Sequence, residues 1–85
     1  MASYSVLLKR SAAKELEALP LKDRRRVATR VGALAEEPRP QGVEKISGQD
    51  KYRIRQGPYR VLYTIDDPAL TVTVVKIGHR RDVYR

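Results

Sequence analysis

Cysteine, phenylalanine and tryptophan are absent from the 85 residues, and histidine occurs once. Without cysteine there is no disulfide staple, no thiolate metal site and no cysteine nucleophile. One histidine is too few for a zinc site or for the paired-histidine chemistry of a free-standing ribonuclease. No metal or other cofactor is expected. No segment approaches the ~18 apolar residues of a membrane-spanning helix. The apolar run inside MASYSVLLKR is too short for a signal-peptide core. These absences lead to the expectation of a soluble, cytoplasmic protein with no membrane partner.

What is present is basic charge. Eighteen Lys and Arg against ten Asp and Glu give a net charge of +8. With 41% hydrophobic residues the chain is apolar enough to fold, although a domain this small buries only about 60–65% of its unfolded surface. A strongly positive balance speaks about partners more than about fold. Nucleic acid, an anionic surface and an acidic protein are the classes to consider.

There are no repeats, linkers or low-complexity tracts, so residues 1–85 read as a single domain. The break in pattern is Glu36-Glu37-Pro38-Arg39-Pro40-Gln41-Gly42, where two prolines and a glycine forbid regular structure. Before it, Tyr4 to Lys9 reads as a strand. Ser11 suits a helix N-cap ahead of the Ala12, Leu16 and Leu19 stripe. Pro20 stops or restarts the helix. A second helix carries Val27, Val31 and Leu34 inward and Asp23 at its positive end. Gly32 within it marks close packing or a weak spot. After the break, Lys51 to Arg55, Tyr59 to Ile65 and Leu70 to Ile77 read as strands, and Val43 to Ile46 is a candidate short one. Gln56-Gly57-Pro58 and Asp66-Asp67-Pro68 are the turns. The expected fold is α+β in the order βααβββ, a two-helix hairpin packed on one face of a small antiparallel sheet.

Residues 1–40 and 41–85 each carry nine basic and five acidic residues, so the local pattern must locate the site. Alternation puts Tyr52 and Ile54 on one face and Arg53 and Arg55 on the other. In the next strand Tyr59, Val61 and Tyr63 share a face and Arg60 projects oppositely. If the apolar faces cover the helices, Arg53, Arg55 and Arg60 converge on the open face. Like charges on neighbouring strands repel, and no carboxylate is evident nearby. Such a face is either an ordinary solvated surface or a seat for an external anion. Arg24-Arg25-Arg26 reads as solvated helix surface or a partner-touching edge. Gly78-His79-Arg80-Arg81-Asp82-Val83-Tyr84-Arg85 follows a strand directly. Its Gly allows a turn, its guanidiniums clamp phosphate and its Tyr can stack a base.

The blocks Tyr59-Arg60-Val61-Leu62-Tyr63 and Gly78-His79-Arg80-Arg81-Asp82-Val83-Tyr84, with Asp66 and Val72 to Ile77 between them, resemble the RelE branch of the RelE/ParE toxin superfamily. The resemblance covers nearly the whole chain, and that branch's RelE-like microbial RNase fold agrees with the βααβββ order. It implies the toxin of a type II toxin–antitoxin system, a metal-independent mRNA endoribonuclease (an mRNA interferase) acting in the ribosomal A site. In such enzymes the 2′-hydroxyl attacks the adjacent phosphate, leaving a 2′,3′-cyclic phosphate and a free 5′-hydroxyl. The matching positions for catalysis are Arg53, Arg55, Arg60, Arg80 and Tyr84. Lys51, Arg53, Lys76 and Arg81 are the expected RNA contacts. The family often has lysine where Arg53 and Arg55 stand, and arginine holds its proton tenaciously. The general base is therefore open, with His79 and Lys51 as candidates for proton transfer; Arg80 and Arg81 compete for the tail role. The implied partners are an acidic RelB-like antitoxin in a hetero-oligomer, the ribosome and mRNA. The alternatives are a ParE-like inhibitor of DNA gyrase, which is no enzyme, and a catalytically weak member that binds RNA or antitoxin.

Overall fold

Apolar residues spaced for two helices and for alternating strands dictate most of the architecture. In the computed structural model, which describes residues 3–81, β1 (Ser5–Leu8) leads into α1 (Arg10–Glu17) and α2 (Leu21–Gly32). A 3₁₀ turn over Ala33–Ala35 ends the helical segment. Then come β2 (Glu44–Lys45), β3 (Tyr52–Gln56), β4 (Tyr59–Asp66) and β5 (Thr71–His79). One sheet holds all five strands in the order β1-β5-β4-β3-β2.

Pairing is antiparallel from β2 through β5, as local turns require, but β1 lies parallel to β5 with Ser5 opposite Thr71 and Leu8 opposite Val74. The sheet is therefore mixed rather than wholly antiparallel. The helical hairpin carries the chain off β1 and back over the sheet, so the first strand is free to join the far edge in either direction. The core is the layer between helices and sheet, where Ala12, Val27, Val31 and Leu34 meet Ile54, Val61, Tyr63, Val72, Val74 and Ile77.

Two local expectations are corrected and one open alternative, at Gly32, is decided. Lys9, not Ser11, is the N-cap residue of α1, with no side-chain cap, so Ser11 sits inside the first turn. Gly32 has open space around the position a Cβ would take, so it is a weak spot and not a close contact. Gly78 lies within β5 opposite Arg60 rather than in a turn. Pro20 is the N-cap of α2 and Asp23 lies in its first turn, as the spacing predicts.

A β-bulge decides which way the end of β5 faces. Leu62 pairs with Lys76 but Tyr63 pairs with Val74, leaving Val75 without an opposite number. The extra residue inverts the alternation, so Val72, Val74 and Ile77 all reach the core. Among the described residues no strand covers the outer edge of β5 beyond Val74. Glu15 of α1 does so instead: its carboxylate accepts from the Ile77 N–H at 3.0 Å and from Lys76 Nζ at 3.2 Å.

Candidate active site

The β3–β4 hairpin sets the arginines. Its loop is Gly57-Pro58, with Gly57 at φ 58°. Proline cannot take a positive φ at the second position, so the turn is of the II′ kind that matches strand twist. Gln56 and Tyr59 close the hairpin and Arg55 stands opposite Arg60 in the next pair. In a two-residue hairpin that next pair is the non-hydrogen-bonded kind, in which opposed side chains are closest. Ile54, between Arg53 and Arg55, is 1% exposed in the core. The alternation thus brings Arg53, Arg55 and Arg60 onto one face, opposite the helices.

A carboxylate does stand among them. Glu44 of β2 pairs with Arg53, and its carboxylate lies 2.9 Å from the Arg53 guanidinium and 3.5 Å from that of Arg55. The hydrogen bond from Arg53, helped by the charges of Arg53, Arg55 and Arg60, holds the Glu44 carboxyl below its ordinary range. The sequence reading missed this residue because it sits in a two-residue strand. The one available signal was the candidate short strand at Val43 to Ile46.

Among the described residues Glu44 is the carboxylate in contact with this face, and its bonds go to Arg53 and Arg55 rather than to Arg60. The Arg60 Nε is buried, with no hydrogen-bond partner among the described residues. Burial, then the charges of Arg55 and Arg53, hold the guanidinium below the ordinary arginine value; Arg80 adds to the effect and Glu44 opposes it. An arriving anion would relieve both the unpartnered donor and the repulsion.

The remaining candidates divide. Arg80 is exposed, and its backbone N–H donates to the Pro58 carbonyl at 2.8 Å, pinning the start of the tail beside the hairpin turn. Arg81 is exposed too, its backbone N–H reaching His79 Nδ1 at 3.3 Å. Lys51 stands just before β3 with the parity of Arg53, its carbonyl accepting from the Ile46 N–H at 2.9 Å. Lys76 is paired with Glu15 at 3.2 Å. His79 is not brought to the arginines. It stands opposite Tyr59 on the helix-bearing face, with the two rings edge to face at 6.1 Å. Tyr59 in turn donates to Asp23 at 3.1 Å. Tyr84 lies outside the described residues.

At the opposite end of the sheet lies a second polar cluster, which the sequence reading did not single out. Arg39 donates to both carboxylate oxygens of Asp67, at 3.1 and 2.9 Å, and sits 5.3 Å over the Tyr52 ring. Tyr4 donates to Asp67 at 2.7 Å. A cleft of about 490 Å³ opens beside this pair, lined also by Asp50, Thr64 and Pro68. Among the described residues there is no group of three or more His, Cys, Asp or Glu able to hold a metal ion, and no helix is long and apolar enough to cross a membrane.

Comparison with known proteins finds relatives of the same fold. Residues 6–84 match the family described as the ParE toxin of type II toxin–antitoxin systems. Toxin RelG of Mycobacterium tuberculosis is 47% identical over 34 residues, a stretch covering 40% of this chain and 39% of that protein. The toxin–antitoxin complex RelBE2 of M. tuberculosis contains a chain 30% identical, with a TM-score of 0.79, covering 92% of this chain and 99% of the other. In the archaeal RelE–RelB complex of Pyrococcus horikoshii the matching chain is 30% identical, with a TM-score of 0.83 and coverage of 94% and 98%.

Proposed function

The chain belongs to the ParE toxin family of type II toxin–antitoxin systems and has the RelE-type fold, and from that premise we propose that it is a ribosome-dependent mRNA endoribonuclease. The observation that carries the reading is the convergence of Arg53, Arg55 and Arg60 on one face, with the Arg60 Nε buried and without a hydrogen-bond partner among the described residues. Attack of the messenger 2′-hydroxyl forms an O2′–P bond and breaks the P–O5′ bond. The pentacovalent phosphorus gains negative charge, which Arg60 and Arg55 stabilise as fixed donors. Arg80, held near the hairpin turn, donates a hydrogen bond to the departing 5′-oxygen without losing its proton; the proton that this oxygen gains is the one the 2′-hydroxyl gives up, passed on through solvent, and Tyr84 stacks a nucleobase. Arg53 keeps its proton and acts as a clamp. His79, on the far face, is outside this chemistry, and Lys51 is the remaining amine in the row. The chain lacks the paired histidines of a free-standing ribonuclease, so in this reading the ribosome supplies the in-line geometry.

The excess charge also supports an acidic RelB-like antitoxin as the neutralising partner, in a hetero-oligomer that masks the site; complementary charge speeds such association. Work on ribosomes places the activity in the cytoplasm. The family's name favours a second reading, a ParE-like gyrase inhibitor. Single-turnover cleavage of message on programmed ribosomes, run beside naked message and a gyrase supercoiling assay, separates them. Cleavage that needs the ribosome supports the proposal. Inhibited supercoiling with intact message overturns it.

A further inference from the structure

Gly78 is unusual for where it stands. A glycine inside a strand weakens it and marks a bulge, a bend or a place where a ligand comes close to the backbone. The left-handed backbone that demands glycine occurs here at Gly42, Gly48 and Gly57, and Gly78 is not among them. It is also not the bulged residue, which is Val75. Backbone conformation therefore does not explain it.

Its neighbours do. Gly78 pairs with Arg60, which pairs on its other side with Arg55, so the row across three strands reads Arg55, Arg60, then no side chain. Two residues before Gly78 is Lys76 and two after is Arg80. Next to the gap is Arg60, with its buried, unpartnered Nε. The bulge at Val75 turns Gly78 toward the arginines; without it Gly78 would face the helices and His79 the arginines. Bulges beside active sites serve to re-aim what a strand presents. Here the thing presented is an absence of side chain amid cations.

Resting on the function proposed above, we propose that Gly78 is a positioning residue, the floor of a notch in which the phosphodiester of the RNA approaches the β5 backbone closely enough to meet Arg60. A side chain at 78 would lift the phosphate off that floor.

The test compares Gly78→Ala and Gly78→Val with wild type and with Gly32→Ala, a helix position with open space around it. Three quantities are read: thermal unfolding, single-turnover cleavage against ribosome concentration, and the shift of the Arg60 Nε–H resonance on titration with dimethyl phosphate. Gly78→Ala should melt at or above the wild-type temperature, since alanine loses less freedom on folding. Its maximal cleavage rate should nevertheless fall about tenfold, and that of Gly78→Val about 10²-fold, the scale of a 1 Å misplacement at a reacting centre. The ribosome concentration at half-saturation should stay unchanged, and the Arg60 response to dimethyl phosphate should vanish in Gly78→Val. Gly32→Ala should cleave normally. Gly78→Ala cleaving at the wild-type rate, or losing rate only as it loses folded protein, overturns the notch. A wild-type Arg60 shift that Gly78→Val abolishes, in a protein that cuts no message, keeps the notch and discards the ribonuclease reading.

Discussion

Arginine is used in opposite ways at the two ends of this sheet. Arg39 has everything a guanidinium can ask for: two bonds to Asp67, a tyrosine hydroxyl at 3.4 Å and an aromatic face beneath it. Asp67 is equally satisfied, its carboxyl held down at about 2 by Arg39 and Tyr4. At the hairpin end Glu44 bonds Arg53 and Arg55, and Arg60 keeps a buried nitrogen with no hydrogen-bond partner among the described residues. A satisfied arginine ties loops together, here joining the proline segment to the β4–β5 turn. An unsatisfied one holds a place for something absent. Net charge does not distinguish the two; the ratio of donors to acceptors within reach does.

Arg60→Ala is expected to give the largest effect, a loss of about 10²–10³ in cleavage on programmed ribosomes, the usual result of removing one fixed donor from a developing oxyanion. Its melting temperature should stay within a few degrees of wild type, because a repulsive charge leaves with it. A large fall in stability would mean that Arg60 props up the fold.

At the satisfied end the effects should fall on stability. The Tyr63 hydroxyl, in a fully buried ring, donates to the Pro38 carbonyl at 2.7 Å. Tyr63→Phe strands that carbonyl and should destabilise by roughly 1–3 kcal/mol, about 4–8 °C in Tm for each kcal/mol. Burial pushes the Tyr63 phenol from 10.0 up to about 12. A group raised in the fold contributes stability that is intact below its unfolded value and lost as pH climbs through the folded one. Urea midpoints should therefore drop between about pH 10 and 12 in wild type and lose that component in Tyr63→Phe.

Arg39→Ala should lower Tm by a few degrees and leave cleavage unchanged, the mirror image of Arg60→Ala. Asp67 is depressed from 3.8 to about 2, so its contribution is present above the higher value and lost as pH falls toward the lower. Acid titration of Tm should show that limb in wild type and a weaker one in Asp67→Asn. The smallest effect is expected for His79→Gln, nearly silent in cleavage at every pH. A hundredfold defect there would return the histidine to the mechanism.

Much of this was legible from local pattern. The helices follow the Ala12, Leu16 and Val27, Val31, Leu34 spacings, and the β3–β4 hairpin follows Gly57-Pro58 between alternating runs. Arg53, Arg55 and Arg60 were readable as one face because each alternates with a residue that must be buried. The rest depended on long-range pairing. Nothing in residues 5–8 says that they lie parallel to β5. The run from Leu70 to Ile77 is apolar or β-branched at nearly every place, so it conceals a bulge at Val75. That bulge moved His79 away from the arginines and Gly78 toward them. Glu44 was hidden for another reason: a two-residue strand has no period.

The parallel pairing of β1 with β5 has a kinetic meaning. Helices and a tight hairpin organise within microseconds from residues close in sequence. Joining Ser5 to Thr71 means closing nearly the whole described chain into a loop, an entropic cost incurred before any contact compensates for it. Val6 and Leu8 stay uncovered until then. The site does not wait for that step. The β3–β4 hairpin sets Arg55 opposite Arg60, and the β4–β5 hairpin, closed by its own short turn, sets Gly78 beside Arg60. The arginine face is therefore built from neighbouring turns, while the far edge of the same sheet depends on the slow closure of the whole chain.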